Sequence, residues 1–156
     1  MAYYTHSHKF SSSPYPKFST AKPHKSHWVA WKKPLCEFIK FNFDGSKTSQ
    51  RATGGFIIRN WEGRFIQALA FNLGTTSILL VEAKTMRNGI QVAVRAGFPT
   101  LFVEGDNKII IQAMKSQVHA PWQIQTPLQD IQTDLQSVHW SLSSTFLVKK
   151  ILPPID

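Results

Sequence analysis

Alternation opens the patterned part of the chain: in EFIKFNFD, Ile39, Phe41 and Phe43 fall on one side while Lys40, Asn42 and Asp44 fall on the other. A period of two marks a strand with one buried face, so a first strand is expected from near Cys36 to Asp44. Two further apolar, β-type runs, TGGFIIRN and RFIQALAFNL, flank WEG, where Gly63 suits a turn position of positive φ. They predict a hairpin, and with it three consecutive antiparallel strands. The period then changes. Over residues 77–96 apolar groups recur at Leu79, Ala83, Met86, Ile90 and Ala93 or Val94, a helical spacing that Gly97 brings to a stop. TLFVEGD reads as a short strand feeding a second helix in NKIIIQAMKSQ, with Asp106 or Asn107 as its N-cap. A strand leading into a helix suggests a parallel addition to the sheet. Residues 121–137 carry Ile124, Leu128, Ile131 and Leu135, with Val138 next, on one helical face, and Pro127 restricts or kinks the start of that third helix. VHWSLSST is a candidate last strand, and no internal repeat is present.

Composition adds limits to this pattern. At 156 residues and 42% hydrophobic, the chain has material for one ordinary core. No apolar run approaches the roughly 18 residues of a membrane span, and no apolar leader opens the chain, so a soluble, non-secreted protein without a membrane partner is expected. The single cysteine, Cys36, has no internal disulfide partner and fits a reducing compartment, in which a bystander thiol is its expected role. None of the six histidines has zinc spacing. Of the net charge of +9, six positive charges lie in residues 1–33, which contain no acid. From Pro34 onward twelve basic residues face nine acidic ones. A basic arm beside a mildly basic domain points to a polyanion such as nucleic acid, or else to a solvated linker. Residues 1–30, rich in Ser, Lys, His and Pro, are expected to be disordered, and read equally as part of a polyprotein linker or as an organellar transit peptide. A nuclear or cytoplasmic setting is otherwise expected.

Three carboxylates stand out, each with an ordinary alternative. Asp44-Gly45 is a strong hairpin signal, but about eight residues separate it from the next strand near Thr53, too many for a two-residue turn. Glu82 lies three residues after Leu79 and four before Met86, on the apolar stripe, where a carboxylate is costly unless paired or coordinated; the alternative is a stripe-edge Glu reaching solvent beside Lys84 or Arg87. Asp106 ends a strand that enters a helix, a common place for ligands in open α/β sheets and equally a common place for a cap. Two strand-end aspartates and a glutamate on the helix between them could converge at one sheet edge. Such a cluster repels itself unless cations hold it, and all-oxygen ligands favour Mg²⁺ or Mn²⁺. Two such ions about 4 Å apart suit phosphodiester hydrolysis. Other candidates read as structural: Asp130 and Asp134 as a solvated helix face, His119 as a loop residue, Trp122 and Trp140 as packing residues.

Several of these motifs, in order, resemble the ribonuclease H-like domains, in particular the plant type related to non-LTR retrotransposon reverse transcriptases. The matching pieces are Trp31 and Pro34, KFNFDGS at 40–46, GGFIIRNWEG at 54–63, VEAKT at 81–85 with GIQVAVRAG after it, LFVEGDN at 101–107 and PWQIQTPLQDI at 121–131. The resemblance implies an α/β fold with a mixed five-stranded sheet, three antiparallel strands first, flanked by helices. It implies hydrolysis of the RNA strand of an RNA/DNA hybrid with two Mg²⁺ ions, by a monomer. Carried over, Asp44, Glu82 and Asp106 match the metal ligands, and Ser46 and Asn107 beside them match positions that touch the substrate backbone. The family's plant members add a His after the last strand and a later Asp. Here Leu142 stands about where the His would be, and the only later acid is Asp156. The organisation expected is a basic segment at 1–30, the domain at 31–142 and a divergent tail at 143–156, truncated or shifted relative to the family, with weakened metal binding. A nucleic-acid-binding remnant without catalysis is the alternative.

Overall fold

The structure, a computed structural model, describes residues 32–144; Trp31, the basic arm and the tail after Ser144 lie outside the described residues. Five strands and three helices follow one another as β1 (Ile39–Lys47), β2 (Ala52–Arg59), β3 (Phe65–Asn72), α1 (Ile78–Arg95), β4 (Thr100–Gly105), α2 (Lys108–Met114), α3 (Trp122–Asp134) and β5 (His139–Ser144). A single turn of 3-10 helix, Leu135–Ser137, joins α3 to β5. The sheet order is β3-β2-β1-β4-β5. β1, β2 and β3 are antiparallel, whereas β4 joins β1, and β5 joins β4, in parallel. This is the mixed sheet that the alternation and the change of period predict.

One face of the sheet carries the helices. Phe41 and Phe43 of β1, Phe56 and Ile58 of β2, Leu101 and Val103 of β4 and Leu142 of β5 form a single core with Ala83, Met86, Ile90 and Ala93 of α1, Ile110 and Ile111 of α2, and Ile124, Leu128 and Ile131 of α3. The helical stripes read from the sequence are those buried. Close approach of α1 to the sheet depends on residues without side chains, Gly54 and Gly89 among them. A Cβ on Gly54 would sit 1.7 Å from Thr85 Oγ1, and one on Gly89 would sit 2.0 Å from the ring of Phe41. Thr85 is fully buried there, its hydroxyl donating to the carbonyl of Val81 at 2.7 Å.

The first strand departs from expectation at its end. β1 does not stop at Asp44 but runs through Gly45 and Ser46 to Lys47, paired with β2 as far as Lys47 opposite Ala52. The connection to β2 is therefore the short Thr48–Arg51 stretch, closed by Thr48 N donating to the Arg51 carbonyl at 2.8 Å. Cross-strand pairing with Thr53 and Gly54 continues the strand through what locally reads as a turn. The β2–β3 hairpin turns at Gly63, whose φ of 90° only glycine adopts readily. Pro127 lies inside α3, on its buried side. Among the described residues no helix is long and apolar enough to cross a membrane.

Candidate metal centre

Three elements deliver one carboxylate each to the same end of the sheet. Asp44 lies on the polar face of β1, exposed, and accepts a hydrogen bond from the Gly45 amide through Oδ1 at 2.9 Å. Glu82 comes from the second turn of α1, which is capped by Ser77, whose side chain accepts from Leu80 N. Asp106 follows β4 directly and is exposed, while its neighbour Asn107 is the cap of α2 and accepts from the amides of Ile109 and Ile110 at 3.0 and 3.2 Å. One oxygen from each of Asp44, Glu82 and Asp106 lies within 4.8 Å of the others.

Gly45 explains how the helix carboxylate reaches the strand carboxylate. A Cβ there would stand 2.6 Å from Glu82 Cγ and 3.1 Å from Val81 Cγ1, so any side chain would push α1 and its carboxylate away. The residue after Asp44 thus serves close approach and not a hairpin turn. Glu82 itself is only 6% exposed, which removes the alternative of a glutamate reaching solvent beside Lys84 or Arg87. Arg87 instead bonds Asp130 of α3 at 3.2 Å, tying the two helices together. A buried carboxylate is stable only with a compensating positive or donor group. An all-oxygen triad that joins a buried glutamate to two exposed aspartates suits a hard divalent cation, which takes carboxylate and water ligands together.

The remaining candidates separate. Ser46 is exposed and lines, with Asp44, Thr53 and Gly55, a groove of about 460 Å³ that includes Asp44 but neither Glu82 nor Asp106. The Asn107 side-chain oxygen is engaged in the helix cap. His119 is exposed in a loop, and Trp140 packs half-buried against the core, both as read from the sequence. Trp122 corrects its reading as a packing residue, because it is 78% exposed. The buried stripe of α3 runs through Ile124, Leu128 and Ile131, and a residue two positions before Ile124 points about 200° away from it. Trp122 stands at the carboxylate end, since its neighbour Gln123 accepts a hydrogen bond from Ser77 at 3.3 Å and Ile78 abuts Gly45. Leu142, where the family resemblance leads one to look for a histidine, is buried at 9% exposure in the core. Among the described residues the acidic group holds three members.

Sequence reasoning missed Glu104, two residues before Asp106. Its side chain is held against β1 by Lys40 and Asn42. The alternation of β1 placed Lys40 and Asn42 on the correct face, but nothing local says which residue of a distant strand meets them.

Comparison with solved structures returns the same fold. The chain is similar to RNase H1 from the halophilic archaeon Halobacterium salinarum NRC-1, with a TM-score of 0.64 at 14% identity over 69% of this chain and 84% of that one. It is similar to LC11-RNase H1, isolated from compost by a metagenomic approach and solved in complex with RNA/DNA hybrid, with a TM-score of 0.63 at 13% identity, covering 68% of this chain and 83% of that one. A foamy viral protease-reverse transcriptase solved in complex with dsDNA matches with a TM-score of 0.54 at 10% identity, covering 70% and 82% of the two chains. A search among curated proteins finds no match. At these identities the likeness concerns the fold. The family model described as reverse transcriptase-like matches residues 42–149, more than half of the sequence and all three carboxylates, and the chain therefore belongs to the reverse transcriptase-like family.

Proposed function

We propose that this chain is a nucleic-acid-binding hydrolase of ribonuclease H type, which cleaves the RNA strand of an RNA/DNA hybrid with two divalent cations, Mg²⁺ or Mn²⁺. The observation that carries the reading is the convergence of Asp44, Glu82 and Asp106 within 4.8 Å from three separate elements. The solved LC11-RNase H1 complex with RNA/DNA hybrid and the foamy viral complex with dsDNA support a nucleic-acid partner. So does the net charge of +9, which favours a polyanion through counterion release.

In this reading Glu82 supplies an anchored oxygen from the protein interior, while Asp44 and Asp106 present theirs to a passing phosphodiester backbone. Bound divalent ions supply polarisation of the phosphate and a nucleophile from water. Ser46 and Thr53, on the groove next to Asp44, offer hydroxyls to sugar and phosphate oxygens. Trp122 offers an exposed ring for stacking at the same end of the molecule. Recognition through backbone and helical shape predicts little base preference.

A second reading, a nucleic-acid-binding remnant without catalysis, is favoured by the acidic group having three members among the described residues. One experiment separates the two. Purified protein is incubated with labelled RNA/DNA hybrid in Mg²⁺, in Mn²⁺ and with excess chelator, and Asp44→Asn is run in parallel. Cleavage that requires the cation and vanishes in the variant supports the enzyme, and hybrid binding without cleavage supports the remnant. Neither binding nor cleavage would remove both.

A further inference from the structure

We infer that Glu104, gripped by Lys40 and Asn42, is a positioning residue that sets the spacing of Asp44 and Asp106. The inference rests on the carboxylates forming a metal centre. β1 and β4 run parallel with Lys40 opposite Phe102 and Asn42 opposite Glu104, and Asn42–Glu104 is the last paired position between them. Asp44 and Asp106 lie two residues further along each chain, where β1 pairs only with β2 and β4 has ended at Gly105. The strands part at the carboxylates. Backbone pairing of β1 with β4 therefore stops short of the site, and its last rung, Asn42–Glu104, is the one that also carries a side-chain tie.

That tie is short and shared. Glu104 Oε2 accepts from Asn42 Nδ2 at 2.7 Å and from Lys40 Nζ at 2.7 Å. Lys40 is 2% exposed, lies over the ring of Phe102 and donates at 2.7 Å to the carbonyl of Lys32. The other end of the Asn42 amide, Oδ1, is buried without a hydrogen-bond partner among the described residues, so Glu104 alone orients that amide. An ion pair this deeply buried adds little net stability over apolar side chains of the same size. What it does supply is geometry. Two charge-assisted bonds converging on one oxygen hold β1 and β4 at fixed separation one step before the aspartates. Groups bonded directly to metal ligands govern affinity by about tenfold or more, and the Glu104 tie acts one step removed from them, through the spacing of the two strands.

The test reads Mn²⁺ binding by titration calorimetry, beside thermal unfolding, on the full chain. Lys40→Met with Glu104→Met removes both charges and keeps the volume, but leaves the Asn42 amide without its acceptor; the double variant is expected to stay folded, to unfold modestly below the wild-type temperature and to bind Mn²⁺ about tenfold more weakly. Lys40→Met with Glu104→Gln restores an acceptor for Asn42 and is expected to recover most of that affinity. Asn42→Val, which leaves the ion pair in place, is expected to weaken Mn²⁺ binding with little change in unfolding temperature, and it decides the matter if the double variants do not fold. Wild-type affinity in the folded Met–Met or Val variant overturns the inference, as does a Gln variant that recovers nothing. A folded wild-type protein that binds no Mn²⁺ removes the metal centre and this inference together, which is distinguishable from loss of positioning alone.

Discussion

The two faces of the β1–β4 pair obey different rules. On the helix side Phe41 and Phe43 meet Leu101 and Val103 in a core that asks only for volume and shape. On the other side, one residue away at every step, Lys40, Asn42 and Asp44 meet Glu104 and Asp106, where direction and distance count more than volume. The same backbone thus supplies stability on one face and placement on the other. Changes to the first face should appear as unfolding, and changes to the second as lost binding in a folded protein.

Phe41→Ala gives the largest expected effect on stability, about 3–5 kcal/mol by urea unfolding, because the ring is fully buried and Gly89 approaches it without a side chain to fill the space. If the loss is below about 1 kcal/mol, the helix-side core is not the stabilising face. Asp44→Asn is expected to leave unfolding nearly unchanged while hybrid cleavage falls roughly a hundredfold or more, equivalent to about 3 kcal/mol. Unchanged cleavage in that variant would leave the polar face without its assigned chemistry. Gly45→Ala couples the faces, since its Cβ meets Glu82 Cγ at 2.6 Å; about 1–3 kcal/mol of stability and much of the Mn²⁺ affinity should go together. Affinity lost with no change in unfolding, or the reverse, would show that strand and helix yield independently. The smallest change is Trp122→Ala. Its exposed ring contributes little to folding, within about 0.5 kcal/mol, whereas affinity for single-stranded or hybrid nucleic acid should drop by about 1–3 kcal/mol in a filter-binding titration. Equal affinity would take Trp122 out of the interface.

Local periodicity made much of this legible in the sequence. Ile39, Phe41 and Phe43 alternate, Leu79 through Ala93 recur at helical spacing, and both patterns are set by neighbours a few residues apart. The three carboxylates were legible for the same reason: each sits at a marked position of its own element, and the parallel addition of β4 brings the elements together. The continuation of β1 past Asp44-Gly45 was not, because pairing with Thr53 and Gly54 overrides a local turn signal. Glu104 escaped because its partners are 62 and 64 residues away, and which rungs face each other depends on register, which no single segment carries. The exposure of Trp122 was readable in principle from the stripe of Ile124, Leu128 and Ile131, but an aromatic residue beside that stripe was assigned to packing.

The parallel β1–β4 pair also governs when a working site can exist. Ile39 must find Leu101 before Asp44 and Asp106 can stand side by side, and the hairpin and the whole of α1 lie in between. Closing so long a loop is entropically costly and slow compared with forming the hairpin or the helix. A chain still being synthesised can complete its three antiparallel strands and α1 while holding only two of its carboxylates. On the function proposed above, nascent or truncated chains that end before β4 should be inert toward nucleic acid, and the onset of divalent-cation binding during refolding should mark the arrival of β4.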